Sequence, residues 1–203
     1  MEFFYPFFIS FCIIFFSELG DKTQLLVLSF SAKSKTKTIL LGVAIGTFFS
    51  HGIAILFGSK LSYLSNASFQ TYLKTLTYIS FIVLGIVGFI FKEENSPTSN
   101  ESKLLKKFSN SKINYIIIIA VCIIIGELGD KTLLASLGIG IQYPNCKLSL
   151  ILGSITGMVL SNSVAIFFGK FITKYLNENT MKFLSNILFI IFGLIGLLLN
   201  IHM

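Results

Sequence analysis

The chain of 203 residues is 54 % hydrophobic and only 12 % charged, and its mean hydropathy is +0.83. A soluble globular domain carries about twice that share of charged residues, so the composition excludes this class and indicates an integral membrane protein. The net charge of +7 would suit nucleic acid binding, but the lysines cluster in short segments between apolar runs, which makes them topology signals instead.

Six apolar runs follow one another, each with roughly the ~20 residues that a membrane helix needs. The first and fourth are somewhat longer, which allows tilt or a local break. Between the third and fourth runs, residues 92–112 are polar and include Pro97, so we expect a flexible linker there. The runs are Phe3–Leu28, Thr38–Ser59, Tyr72–Phe91, Ile113–Leu137, Leu148–Gly169 and Met181–Ile201.

One sequence, Glu-Leu-Gly-Asp-Lys-Thr, occurs twice, at residues 18–23 in the first run and at residues 127–132 in the fourth. We call these the first motif and the second motif. A carboxylate in the hydrocarbon core costs at least ~3 kcal/mol, so such groups survive only beside a partner, a water-filled cavity or an ion. In each motif the two acids are three residues apart and therefore share one helix face. The four acids are Glu18, Asp21, Glu127 and Asp130.

The two motifs belong to duplicated halves. Small residues recur at every fourth position of the second run. The fifth run contains the same series in the same order, and the two series are nearly as far apart in the chain as the two motifs are. We therefore predict two three-helix repeats, residues 1–91 and 113–203. Because three spans carry the chain across the membrane, the second repeat must be inverted, a plan that places transport sites near the midplane between repeats. The series are Gly42, Gly46, Ser50, Ala54 and Gly58, and Gly153, Gly157, Ser161, Ala165 and Gly169.

The lysines predict the topology. Eleven of the sixteen basic residues fall in the linker, in the loops after the first and fifth runs or at the start of the sixth run, which predicts the cytoplasmic or stromal side for these segments and the opposite side for both termini. All sixteen are Lys, a bias typical of an AT-rich genome. We expect a plastid membrane, thylakoid or envelope, if the protein is organelle-encoded, and otherwise a bacterial inner membrane. Because the first apolar run begins at Phe3, we expect no leader before it, in line with both locations.

The four motif acids suit a hard divalent cation, which takes six or more oxygen ligands. Neither motif can supply these alone, but two motifs that face each other could. Five polar residues are candidate auxiliary ligands or proton-path groups, although a plain interhelical hydrogen bond would also explain each of them. These five are Thr23, Gln24, His51, Thr132 and Asn162.

The remaining motif residues have two interpretations each. Lys22 and Lys131 could form gating ion pairs on the two sides of the site, or their side chains could extend to the nearest interface. Gly20 and Gly129 each cost about 1 kcal/mol of helix propensity and therefore predict either a helix break or a close helix contact.

Charge balance suggests how the site would work. Four carboxylates and two ammonium groups leave two negative charges, which one divalent cation or two protons would neutralise equally well. We therefore expect the cation and protons to compete for the same carboxylates. The expected partners are the lipid bilayer, the cation and protons, without a permanently bound cofactor and without nucleic acid, and a homo-oligomer is left open.

The doubled Glu-x-Gly-Asp-Lys/Arg-Thr/Ser motif resembles that of the Golgi, thylakoid and bacterial manganese and calcium transporters. The resemblance covers nearly the whole chain and implies cation/proton antiport, with Mn²⁺ and Ca²⁺ as the usual substrates and the four motif acids as the matching residues. Gln24 follows the first motif as it often does in that family, whereas Leu133 follows the second.

Three other classes compete with this interpretation. An intramembrane aspartyl protease would use paired aspartates, but its Tyr-Asp and Gly-x-Gly-Asp signatures are absent from the sequence, so we do not expect an enzyme. A membrane scaffold would explain the small-residue series but not the four acids. A passive cation channel stays open on sequence grounds, because it too could use internal carboxylates.

Overall fold

The structure, a computed structural model, describes the backbone of residues 3–19, 21–31, 34–64, 66–90, 115–175 and 178–201. Every regular element in these ranges is an α-helix, so the prediction of an all-α protein is confirmed. Gly20 and the predicted linker, residues 92–112, lie outside the described residues. The eight helices of the described ranges are α1 (Phe4–Glu18), α2 (Lys22–Ser31), α3 (Thr36–Leu64), α4 (Ala67–Ile90), α5 (Tyr115–Glu127), α6 (Lys131–Gln142), α7 (Lys147–Tyr175) and α8 (Glu178–Ile201).

Three of these helices, α3, α4 and α7, are long and apolar enough to cross a membrane. Helix α3 has 29 residues, which at ~1.5 Å per residue exceeds the ~30 Å of a hydrocarbon core. Large apolar side chains such as Phe48, Ile53 and Phe57 point outward and are about half exposed or more. An apolar outer surface of this kind suits lipid, and it supports the prediction of a membrane protein.

The first and fourth apolar runs are each divided into two helices at the motif. Helix α1 ends at Glu18 and α2 begins at Lys22, while α5 ends at Glu127 and α6 begins at Lys131. The four segments have 15, 10, 13 and 12 residues, so none reaches the ~20 residues of a complete span. The extra length of these two runs in the sequence therefore corresponds to a break at the acidic motif in both halves of the chain.

The most extensive helix contacts join residues before the predicted linker to residues after it. Helix α7 packs along α1, α3 packs along α5 and α6, and α4 packs along α8. Glycines make this approach close: a Cβ at Gly46 would lie 2.7 Å from Ile123 Cβ, and one at Gly157 would lie 2.8 Å from the carbonyl oxygen of Phe11. The small residues therefore allow α3 and α7 each to pack closely against a helix from the other side of the predicted linker, as small residues do in membrane proteins.

The core between the halves combines apolar and polar side chains. Ile14, Ile55, Ile119 and Ile123 are fully buried there. Buried polar side chains lie among them, and they include most of the residues singled out from the sequence. This polar group contains Glu18, Asp21, Thr23, Gln24, His51, Glu127, Asp130, Thr132, Ser136, Ser161 and Asn162.

Candidate cation site

The break between α5 and α6 has a defined local geometry. Gly129 has a φ of +84°, a left-handed conformation that glycine adopts without the steric cost of a Cβ. Asp130 then forms the N-cap of α6, because its carboxylate accepts a hydrogen bond of 3.2 Å from the backbone N–H of Thr132. The backbone N–H of Asp130 donates to the carbonyl of Glu127 at 3.1 Å. These bonds hold both acids of the second motif at the interior break.

The first motif repeats part of this pattern. The backbone N–H of Asp21 donates to the carbonyl of Glu18 at 3.2 Å, which matches the bond between Asp130 and Glu127. Helix α2 then starts at Lys22, as α6 starts at Lys131. The two motifs therefore turn the chain in a similar way.

Three of the four predicted acids form one cluster. Glu18, Glu127 and Asp130 each place a carboxylate oxygen within 4.8 Å of those of the other two. Their exposed fractions are 0 %, 0 % and 5 %, so the cluster is shielded from the surroundings. Oxygen ligands of a calcium-sized ion lie ~2.3–2.6 Å from it, so two oxygens on opposite sides of the ion are about 5 Å apart. The cluster thus has the dimensions of a site for a single divalent cation.

Asp21 and the motif lysines are arranged differently. Asp21 is buried, with 7 % exposed, but it is not part of the group of three, and its role as a ligand stays a prediction. Lys131 is partly exposed and makes no ion pair with any residue that the structure describes. The side chain of Lys22 lies outside the described residues, so the predicted pair of gating lysines also stays a prediction.

The motif threonines hold the carboxylates in place. Thr23 Oγ1 donates to Glu18 Oε2 at 2.9 Å. In the second motif, Thr132 Oγ1 lies 3.0 Å from Glu127 Oε2 and 2.9 Å from Asp130 Oδ2. Both threonines therefore contact the acids directly, and they orient them through hydrogen bonds to charge-bearing groups, which are stronger than those between neutral groups.

His51 is fully buried and lies against the cluster. Its Nε2 is 3.3 Å from Glu127 Oε2 and its Nδ1 is 2.7 Å from Ser136 Oγ. If Nε2–H donates to the carboxylate, Nδ1 accepts from the serine hydroxyl, so both nitrogens are used. His51 therefore connects Glu127 to Ser136, an arrangement suited to orienting the carboxylate or passing a proton.

Gln24 of α2 and Asn162 of α7 both donate hydrogen bonds to α7. Gln24 Nε2 donates to the carbonyl oxygen and the hydroxyl of Ser161 at 3.1 and 2.7 Å. Asn162 Nδ2 donates to the carbonyl of Met158 at 2.9 Å, but Asn162 Oδ1 is buried without a hydrogen-bond partner. Glu18 Oε1 is also buried without a hydrogen-bond partner. Glu18 and Asn162 thus each carry a buried oxygen acceptor without a described donor.

Two residues at the site were missed by the sequence analysis. Ser136 supports His51, and the signal for it was its position four residues after Thr132, on the same face of α6. The hydroxyl of Ser161 accepts a hydrogen bond from Gln24, but in the sequence Ser161 stood out only as a member of a small-residue series. In both cases the sequence pattern did not distinguish a hydrogen-bonding serine from a packing serine.

Apolar helices around a buried cluster of carboxylates are features of a membrane cation transporter. The sequence model of a family described as "Divalent cation/proton antiporter GDT1" matches residues 6–96 and 115–203, and the chain belongs to this family. The resemblance stated from the doubled motif is thereby confirmed. The family is one of transporters and not of enzymes, which fits the expectation that this protein is not an enzyme.

Curated relatives come from a bacterium and from plants. A candidate manganese exporter of Vibrio cholerae is 28 % identical over 164 residues, which cover 80 % of this chain and 75 % of that protein. GDT1-like protein 2, chloroplastic, of Oryza sativa subsp. japonica is 23 % identical over 91 % of the chain. Protein PAM71-homolog, chloroplastic, of Arabidopsis thaliana is 25 % identical over 91 % of the chain. The chain spans only 58 % and 56 % of these two plant proteins. No solved structure matches the chain.

Proposed function

We propose that this protein is a secondary transporter that exchanges a divalent metal cation, Mn²⁺ or Ca²⁺, for protons across a membrane. Family membership and a relative named for manganese export support a divalent cation as the substrate. The single observation that carries the proposal is the buried cluster of Glu18, Glu127 and Asp130. Carboxylates this close and this buried cannot all stay charged unless a cation or protons neutralise them. The cation and the protons are therefore alternative occupants of one site.

The proposed architecture is six spans arranged as two inverted three-helix repeats. In it, α1 with α2 and α5 with α6 each cross the membrane as one broken span. The support is that both breaks fall at the motif, that α3 packs on α5 as α7 packs on α1, and that α4 packs on its counterpart α8. Discontinuous helices at the repeat interface are typical of secondary transporters, since non-helical backbone is tolerated at membrane depth where it lines a site.

The sequence and the relatives support a proposed orientation and membrane. The linker faces the cytoplasm or stroma, and both termini lie on the opposite side, as the lysine distribution indicates. The membrane is a plastid membrane or a bacterial inner membrane. Relatives from a bacterium and relatives named as chloroplastic support this pair of locations.

Each site residue has a proposed role. Glu18, Glu127 and Asp130 bind the cation, and Asp21 joins them as the fourth acid when the site is occupied. Thr23 and Thr132 orient the carboxylates. A proton that leaves Glu127 passes through His51 and Ser136, which the hydrogen bonds at 3.3 and 2.7 Å support. Lys22 and Lys131 close the site alternately from the two sides by pairing with the neighbouring acids.

The test is uptake of Mn²⁺ and Ca²⁺ into proteoliposomes with an imposed pH gradient. The purified parent is compared with Glu18→Gln and Asp130→Asn, which remove one charge from each motif. Glu2→Gln is the matched control, because this acid precedes the first apolar run. Size-exclusion chromatography and circular dichroism verify that every variant is folded.

We expect uptake that follows the pH gradient in the parent and in Glu2→Gln and that is lost in both motif variants. If collapsing the pH gradient at a constant cation gradient does not change the rate of uptake, the protein is a channel and not an antiporter. A folded parent that moves neither cation would support a scaffold. Uptake that survives both motif substitutions would leave transport in place and exclude the proposed site.

A further inference from the structure

The contact between His51 and the second motif follows from the register of two helices. A Cβ at Gly46 of α3 would lie 2.7 Å from Ile123 Cβ of α5. His51 follows Gly46 by five residues and Glu127 follows Ile123 by four, about one helical turn further along both helices. At this level His51 Nε2 lies 3.3 Å from Glu127 Oε2.

The same register relates α7 to α1 in the other half. A Cβ at Gly157 of α7 would lie 3.4 Å from Ile14 Cβ of α1. Asn162 follows Gly157 by five residues, and Glu18 follows Ile14 by four. Asn162 therefore occupies the position relative to Glu18 that His51 occupies relative to Glu127. The bonds from Gln24 to Ser161, the residue before Asn162, independently join the helix after the first motif to α7 at this level.

The orientation of the Asn162 amide is determined by its own helix. Its Nδ2 donates to the carbonyl of Met158 at 2.9 Å, and a rotated amide would place two oxygens against each other. Oδ1 therefore points away from the helix backbone, where it is fully buried and has no hydrogen-bond partner. Glu18 Oε1 is likewise buried without a partner. A buried acceptor without a donor costs about 1–3 kcal/mol, so each of these two oxygens needs a donor or a cation.

We propose that Oδ1 of Asn162 is a direct ligand of the transported divalent cation and that it binds the ion together with Glu18. This inference rests on the proposed transport function and adds a residue outside both motifs to the binding site. The amide contributes a neutral oxygen, which a hard cation accepts readily and which adds no charge to the three clustered carboxylates. The two halves of the site are then unequal: on one side His51 supports an acid, and on the other Asn162 binds the ion.

The test measures Mn²⁺ binding to the purified full chain by the loss of the free-ion electron paramagnetic resonance signal, with Ca²⁺ as competitor. Asn162→Leu removes the oxygen and the amide donor. Asn162→Asp keeps an oxygen, with an added negative charge that favours a cation, but removes the donor to Met158, so it separates a ligand role from a role in helix packing. Asn186→Leu is the matched control, since Asn186 Oδ1 is also buried and without a partner but faces Gly88 in the contact between α4 and α8. Glu18→Gln tests the cluster itself.

We expect Asn162→Leu to bind Mn²⁺ at least about tenfold more weakly than the parent, since loss of even a residue that only supports a metal ligand costs roughly that much. Asn162→Asp and Asn186→Leu should bind within about threefold of the parent. Parent-like binding by Asn162→Leu, while Glu18→Gln loses binding, would overturn this inference and leave the proposed function intact. Equal losses in the Leu and Asp variants would also overturn it, because the helix bond would then explain both. A folded parent that binds no divalent cation would overturn the inference and the proposed function together.

Discussion

Thr132 is the residue that connects the two acids of the second motif. Its hydroxyl lies 3.0 Å from Glu127 Oε2 and 2.9 Å from Asp130 Oδ2, while its backbone N–H is held by the same aspartate. A hydroxyl has one proton and can donate fully to only one carboxylate at a time. The threonine therefore keeps the two acids at a fixed separation, which would present an arranged pair of oxygens to the proposed cation.

Thr132→Val should weaken Mn²⁺ binding about fivefold, since it keeps the shape of the side chain and removes a hydrogen bond worth ~1 kcal/mol. Thr132→Ser keeps the hydroxyl and should bind like the parent. Binding is measured by titration with Mn²⁺ on the purified protein. The control is Thr75→Val, because the Thr75 hydroxyl donates to the carbonyl of Thr71 within α4, a helix that contributes none of the three clustered acids. A valine variant that binds as tightly as the serine variant would contradict the orienting role.

The sequence singled out four acids that the structure buries, but the sequence pattern does not distinguish among them. Charged residues within apolar runs stand out because their insertion is costly, and this identified all four. The pattern treats Asp21 and Asp130 as equivalent, yet only Asp130 belongs to the cluster. That difference depends on which side chains each helix meets in three dimensions, and the spacing of residues within one motif does not contain this information.

The broken helices are the elements that define the site. Long apolar runs predicted helices correctly, because in hydrocarbon the backbone has no other partner for its N–H and C=O groups. Gly129 signalled a weak point in the fourth run, but the cost of one glycine is only about 1 kcal/mol and does not determine whether the helix breaks. The break needs both the left-handed φ of Gly129 and the N-cap hydrogen bond of Asp130. Only the structure shows that the two occur side by side.

The contact between α3 and α5 gives a prediction at this scale. Gly46→Ala should lower the thermal stability, because its Cβ would lie 2.7 Å from Ile123 Cβ and 2.9 Å from the carbonyl oxygen of Ala120. The cost of such overpacking is about 1–3 kcal/mol. Gly52→Ala on the same helix has its nearest neighbours at 3.9 Å, so it should be neutral or stabilising through better helix propensity.

Thermal unfolding in detergent, followed by circular dichroism, compares these two variants. Each adds one methyl group to α3, so hydrophobicity and helix propensity change equally. We expect a lower Tm for Gly46→Ala than for the parent, and a Tm for Gly52→Ala that equals or exceeds it. If both variants shift the Tm alike, the close contact of α3 with α5 would not contribute to stability.

At the scale of the whole molecule, the cation cluster exists only when both halves of the chain are together. Glu18 comes from the residues before the predicted linker, and Glu127 and Asp130 come from the residues after it. The most extensive helix packing also crosses between the halves. The interaction between halves, and not the continuity of the chain, therefore builds the site.

Cleaving the chain within residues 92–112 should leave the protein assembled and active. A protease site inserted at Ser99 allows the full-length protein to be folded and purified before it is cut. We expect two bands on a denaturing gel, one species on size-exclusion chromatography in detergent, and pH-driven Mn²⁺ uptake close to that of the uncut sample. The parent without the site, treated with the same protease, is the control. Separation of the fragments after cleavage would show that the contacts between halves are too weak to hold the fold alone.

The crosswise packing has a consequence for how the two halves can differ. Two separate copies of one half would have to place the same side chain at both equivalent positions. In a single chain the linker holds the two halves together at an effective concentration in the millimolar range. Each half therefore pairs with the other half of its own chain, which has a different sequence, and not with a second copy of itself. His51 can then face Glu127 while Asn162 occupies the matching position in the other half. Covalent fusion thus releases the proposed site from exact twofold symmetry, and it allows the side that each half contributes to be specialised independently of the other.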